Sequence, residues 1–197
     1  MTEIPRWEIA PDPDHDLILD ARSMRAVAHP VRIRILGVLR TEGPQTATAL
    51  AQKLSLNSGA TSYHLRQLAE YGMIVEAPEL GKGRERWWRA SHRSTRYQSS
   101  AVDEDGAAYL QAVALVYAEH LQRAIEELPG QPEKWRKIST LNDYLFRLTP
   151  KEAASLVREV REVFTRYRAL QGDTDPSAPA GAEPFHVQFH AFRLPGS

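Results

Sequence analysis

With 197 residues, 42% of them apolar and 25% charged, the chain can bury one sizeable core or two small ones, which excludes disorder throughout. Twenty-five Lys plus Arg balance twenty-five Asp plus Glu, so it is neither a polybasic coat for nucleic acid nor an acidic decoy. No cysteine is present, which excludes disulfides, thiolate metal sites and cysteine nucleophiles.

Charge is therefore a local matter. Residues 1–20 carry one basic side chain against six acidic ones, whereas residues 21–96 carry thirteen basic against five acidic. A basic block inside a neutral chain suits one part meeting an anionic polymer while the rest packs on itself. Arg outnumbers Lys twenty to five, which favours planar phosphate or guanine contacts. The first seven residues lack a signal pattern, and the apolar run 107–118 is broken by Gln111 and too short for a bilayer. A cytoplasmic protein with no membrane partner is expected.

In chain order, Trp7 and Ile9 ahead of Pro11 and Pro13 suggest a short strand over 4–9 in an N-terminal arm, residues 1–18. The arm's Asp12, Asp14, His15 and Asp16 are read as a solvated acidic cluster rather than a metal site. A helix runs from Leu19 to Ala28, and Pro30 opens a second whose apolar set is Val31, Ile35, Val38 and Leu39, ended by Gly43-Pro44. A third helix, 46–54, leads through the tight turn 55–57 into a fourth over 58–71, closed by Gly72. At about 100° per residue, Ser58, Thr61, Leu65, Leu68 and Ala69 share one side of that helix, with Ala60, Tyr63, Gln67 and Glu70 opposite and His64 and Arg66 beside them. Two β-prone runs, 73–77 and 85–90, then enclose a glycine-bounded basic tip and read as a hairpin. Trp87 and Trp88 must point to opposite faces of its second strand.

Three helices, the last two joined by a tight turn, followed by a basic hairpin make a winged helix-turn-helix over residues 19–96. The fold class expected is mainly α with a small β-wing. The run Ala28-His29-Pro30-Val31-Arg32-Ile33-Arg34-Ile35-Leu36, the segment Ser62-Tyr63-His64-Leu65-Arg66-Gln67-Leu68-Ala69-Glu70-Tyr71-Gly72 and the wing Gly83-Arg84-Glu85-Arg86-Trp87-Trp88-Arg89 resemble ArsR-type bacterial transcriptional regulators. The likeness is greatest to the subgroup in which a C-terminal helical extension replaces the metal-sensing apparatus. It implies a homodimer that binds double-stranded DNA. The family's thiolate pair has no counterpart in Gln45-Thr46-Ala47-Thr48-Ala49-Leu50, and Glu119-His120 is a lone neighbouring pair, so neither metal nor cofactor is expected.

A helix laid in the major groove needs short or flexible donors toward its N-terminal half. The candidate DNA-contacting residues are Ser58, Thr61, Ser62, Tyr63, His64, Arg66 and Gln67, with Lys82 and Arg84 at the wing tip. Arg66 and Gln67 are assigned to bases; Ser58, Ser62 and His64 are shared between bases and phosphates. Each has a bland counterpart: Ser58 as a helix cap in competition with Asn57, His64 as a structural histidine, the tip as a solvated hairpin. Arg32 and Arg34 read equally as backbone contacts and as surface arginines.

Residues 97–172 are expected to form a helical dimerisation region. Asp103-Glu104-Asp105 opens a long helix with Tyr109, Val113, Val116, Leu121, Ile125 and Leu128 as its apolar face, too long for the small domain to cover, so a second subunit is its partner. Trp135, Ile138, Leu141, Leu145 and Leu148 suggest another helix, and Thr149-Pro150-Lys151-Glu152 is a capping box that starts a further one. Trp135, Tyr144, Phe146, Phe164 and Tyr167 read either as plain core or as the wall of a pocket for a small organic effector. In residues 173–197 a linker precedes an alternating segment, 185–190, expected to be a strand, whose His186 and His190 lie too far apart to chelate. Two other classes compete: a winged module used for protein contact, and a regulator that answers a metal through His, Asp and Glu ligands. An enzyme is not expected, since no nucleophile stands with a base and no phosphate-binding loop is present.

Overall fold

The computed structural model describes residues 16–81, 83, 85–97, 104–168 and 181–194. The strand expected over 4–9, the acidic arm up to His15 and the tip residues Lys82 and Arg84 lie outside them. The chain divides into two compact units, one of residues 11–131 and the other beginning at Pro132.

In the first unit, local capping chemistry fixes where each helix starts. Asp20 accepts from the Ser23 N–H at 2.7 Å while Ser23 Oγ accepts from the Asp20 N–H at 2.8 Å, a reciprocal box that opens α1 (Ala21–Val27). His29 Nδ1 accepts from the Val31 N–H at 3.2 Å and opens α2 (Pro30–Thr41), with proline first in the helix, where no amide donor is needed. Thr46, the last residue of β2 (Gln45–Thr46), caps α3 (Ala47–Lys53) by accepting from the Ala49 N–H at 3.2 Å. Asn57 caps α4 (Ser58–Glu70), accepting from the Ala60 N–H at 2.7 Å. Gly72, at φ 69°, turns the chain out of α4 in the left-handed conformation that glycine adopts without strain.

The wing pairs β3 (Ile74–Glu76) antiparallel with β4 (Trp87–Ala90), and β2 lies along the other side of β4, giving the order β2-β4-β3. Gln45 stands opposite Trp88, and Ile74 opposite Ala90. Trp88 turns inward at 7% exposure and Trp87 is half-buried, the alternation that a strand imposes. A second, parallel pair joins β1 (Asp16–Leu19) to β5 (Ser94–Tyr97). Sequence patterning reveals neither this pair nor β2.

Ile35, Leu39, Leu50, Leu65, Leu68, Met73 and Ile74 form the centre of the core, each 3% exposed or less. Burying side chains of this size contributes about 1.5–3 kcal/mol apiece before chain entropy is set against it. Tyr109, from α5 (Glu104–Glu127), joins that core; burial pushes its hydroxyl pKa up to about 12, so it stays neutral. α5 packs on α1 and α2 through Tyr109, Ala112 and Val116. Its other side leaves Leu110, Tyr117, Leu121 and Ile125 at 37–50% exposure.

In the second unit, α6 (Glu133–Arg136) is a single turn, and the helix expected through Leu148 does not form. Polar side chains there bond locally instead: Ser139 Oγ donates to the Trp135 carbonyl at 2.9 Å, and Asn142 Nδ2 to Thr140 Oγ1 at 2.5 Å. Such bonds compete with helical amides, and apolar spacing alone does not overcome them. The capping box does form. The Thr149 N–H donates to Glu152 Oε2 at 2.8 Å and opens α7 (Pro150–Arg168). No strand is assigned over 185–190, and the strand over 4–9 that it is expected to pair with lies outside the described residues.

Candidate nucleic-acid interface

α4 has two chemically distinct sides because its inward residues are the ones the core needs. Thr61, Leu65 and Leu68 are 0–1% exposed. Ser58, Tyr63 and Arg66 are exposed, and Ser62, His64 and Gln67 are half-buried along the same outer surface. Thr61 is corrected: its Oγ1 donates to the Asn57 carbonyl at 3.0 Å inside the core, out of reach of any ligand. Ser58 is relieved of the capping role, which Asn57 performs.

Arg66 Nε donates to the Ser62 carbonyl of its own helix at 3.3 Å, and no carboxylate among the described residues binds its guanidinium. Gln67 Nε2 donates to Glu70 Oε2 at 3.2 Å, an exposed contact that is readily exchanged. Between α4 and the wing lies a cleft of about 290 Å³, lined by the apolar Ala47, Leu65 and Trp88, the polar Thr46, Thr48 and Ser62, and the charged Arg66, Arg86 and Glu85. Thr46, Thr48 and Arg86 are missed by sequence reasoning. Arg86 was legible as part of the basic hairpin; the two threonines come near only because β2 pairs with β4.

His64 sits where α4 crosses the start of α2. Its ring centroid lies 4.6 Å from that of His29 and 5.4 Å from that of Tyr63, and its Nδ1 is buried without a hydrogen-bond partner. Burial lowers the pKa of both histidines, helped by each other's proximity at His64 and by the Arg32 charge at both. Both thus favour the neutral form at pH 7. His64 therefore packs against α2 with one ring nitrogen and leaves only part of its edge at the surface.

Much of the basic block is engaged internally. Arg86 pairs with Glu76 at 3.1 Å and Arg89 with Glu79 at 2.7 Å across the wing, and Lys53 pairs with Glu42. Arg34 binds Glu119, and Arg32 Nη2 donates to the Arg25 carbonyl at 3.3 Å. Exposed pairs of this kind contribute about 0–1 kcal/mol each and open readily before a stronger anion. Among the described residues no group of three His, Asp or Glu side chains could hold a metal ion, and Glu119 is committed to Arg34.

Of the five aromatics marked as an effector wall, only Tyr144 and Phe146 are in ring contact with each other among the described residues. Trp135 stacks on Phe185 and Phe164 meets Phe189, each at 6.0 Å, and Tyr144 meets Phe146 at 6.1 Å. Tyr144 and Tyr167 are 71% and 64% exposed. No helix among the described residues is long and apolar enough to cross a membrane.

No curated protein matches the chain. Among solved structures it is similar to RV1404 of Mycobacterium tuberculosis, at 18% identity over 74% of this chain and 80% of that one, with a TM-score of 0.30. It is also similar to the transcriptional regulator Tm0710 of Thermotoga maritima, at 14% identity over 76% and 91%, TM-score 0.31. A mutant MarR of E. coli follows at 17% identity over 73% and 89%, TM-score 0.31. At TM-scores this low these likenesses add nothing to the fold read from the chain's own geometry. Residues 27–77 match a family of helix-turn-helix domains, and this is the stretch that carries α2, α3, α4 and the first strand of the wing.

Proposed function

We propose that this protein is a sequence-specific DNA-binding transcriptional regulator of the ArsR type, without a thiolate metal site, acting in the cytoplasm as a homodimer on an inverted-repeat operator. The observation that carries the reading is the division of α4: its inner residues are fully buried, while Tyr63 and Arg66 stand out at the surface with Ser62 and Gln67 alongside. Arg66 reads guanine through two parallel bonds and Gln67 reads adenine, each such pair discriminating by about 1–3 kcal/mol. Ser58, Ser62 and the exposed edge of His64 add phosphate and base contacts, and Lys82 and Arg84 hold the backbone from the wing.

Dimerisation through α5 is supported by its exposed side. Ala107, Leu110, Ala114, Tyr117, Leu121, Ala124 and Leu128 recur at alternating spacings of three and four, which puts them on one stripe. A copy of the same helix covers that stripe and sets two recognition helices about 34 Å apart, one turn of DNA. Selection of tight-binding duplexes from a random pool tests the reading. Recovery of an inverted repeat, bound with an affinity that falls steeply between about 50 and 200 mM salt, is expected. Recovery of no common sequence would refute it.

A further inference from the structure

α5 is joined to the winged domain by a directional contact as well as by apolar packing. Arg34, in the second turn of α2, meets Glu119, about two-thirds of the way along α5, through Nε to Oε2 at 2.8 Å and Nη2 to Oε1 at 2.5 Å. The two residues are 85 apart in sequence and their side chains are 28% and 42% exposed. A two-pronged guanidinium–carboxylate bond fixes the angle of approach as well as the distance. A second ion pair to α5, from Arg25 of α1 through Nε to Asp105 Oδ2 at 3.3 Å, is looser, with Arg25 65% exposed. The contacts of Tyr109, Ala112 and Val116 resist separation of the elements but allow a small rotation, because apolar contact has no preferred direction.

The pair lies on the line that connects dimer helix to recognition helix, since α2 packs on both α5 and α4. Two helix-to-helix spacings of about 9 Å set α4 at most about 18 Å from α5. Over that arm a tilt of about 10° displaces α4 by up to about 3 Å, close to one base-pair step of about 3.4 Å. We propose that the Arg34–Glu119 pair sets the angle between α5 and the winged domain and thereby selects the half-site separation that the dimer reads. Both are positioning residues and neither touches DNA. The inference rests on the reading of the protein as a DNA-binding dimer joined through α5.

The test uses the full-length protein and a set of duplexes with the selected half-site repeated at centre-to-centre separations of about 9 to 12 base pairs, plus one duplex with a single half-site. Glu119→Gln, which keeps the shape and removes the charge, is expected to reduce the affinity ratio between the best separation and its neighbours by about threefold or more. Binding to the single half-site and the thermal midpoint should stay at wild-type values. Arg34→Gln should give the same flattened profile, and the double variant no further flattening, because the two groups act through one bond. A wild-type separation profile in both single variants overturns the inference. So does weaker single-half-site binding in Arg34→Gln alone, which would make Arg34 a phosphate contact. A wild-type protein with no preference among separations contradicts the dimer reading itself, a distinct failure that takes the inference with it.

Discussion

His29 and His64 face each other at 4.6 Å between ring centroids, and each carries a demand that protonation breaks. His29 Nδ1 must hold its lone pair to accept the Val31 N–H and cap α2, and His64 Nδ1 is enclosed with no acceptor for a proton. Both pKa values lie below the ordinary 6.5, so below that pH the unfolded chain binds more protons than the folded one. The stabilisation from the neutral pair is complete above pH 6.5 and is lost as pH falls through the folded-state values. Urea midpoints measured from pH 8 to pH 5 should therefore decline toward acid, and His29→Gln with His64→Gln should reduce that slope; an unchanged slope in the double variant would assign the acid sensitivity elsewhere. Thr61 supplies a second residue-scale expectation. Thr61→Val keeps the shape and removes the bond to the Asn57 carbonyl, at a cost of about 1 kcal/mol, and should leave DNA affinity per folded molecule unaltered. A specific loss of operator binding would put Thr61 back at the interface.

At the scale of elements, α4 depends on its start. Asn57→Ala removes the acceptor for the Ala60 N–H and should destabilise the protein by about 1 kcal/mol, read as a lower denaturation midpoint, whereas Ser58→Ala should cost about a few tenths. Equal effects would mean that the cap is shared. The starts of α2 and α7 were legible in the sequence because capping chemistry is short-range: a Pro at the first turn, or Thr149 with Glu152 three residues on, carries its own explanation, whereas α1 begins at Ala21 behind the Asp20 cap rather than at Leu19. The pairing of β1 with β5 was not legible, since it joins residues nearly eighty apart with no local signal. Residues 137–149 misled in the opposite direction. Their apolar spacing is helical, but Ser139, Thr140 and Asn142 satisfy neighbouring groups themselves and the periodicity has nothing to stabilise. Within the site, the outer residues of α4 followed from helical periodicity, while Thr46 and Thr48 required the tertiary pairing of β2 with β4.

At the scale of the whole molecule, α5 serves two masters, and this decides how its role is tested. Removing everything after Arg96 would strip Tyr109 and Val116 from the core of the winged domain as well as abolish the outer stripe, so loss of binding would be ambiguous. Leu121→Glu acts on the exposed side alone. It is expected to yield a folded monomer by sedimentation, with operator affinity reduced at least about tenfold because two half-sites are no longer bound together. A Leu121→Glu protein that remains dimeric would exclude that stripe as the interface. The most direct measurement is a pair of salt titrations, of the wild type and of Arg66→Ala, on the selected operator and on a scrambled duplex of equal length. The polar side of α4 being the reading surface predicts that Arg66→Ala loses about 1–3 kcal/mol on the operator, loses little on the scrambled duplex, and so narrows the gap between them at both salt concentrations. An Arg66→Ala protein that keeps the wild-type gap would contradict it.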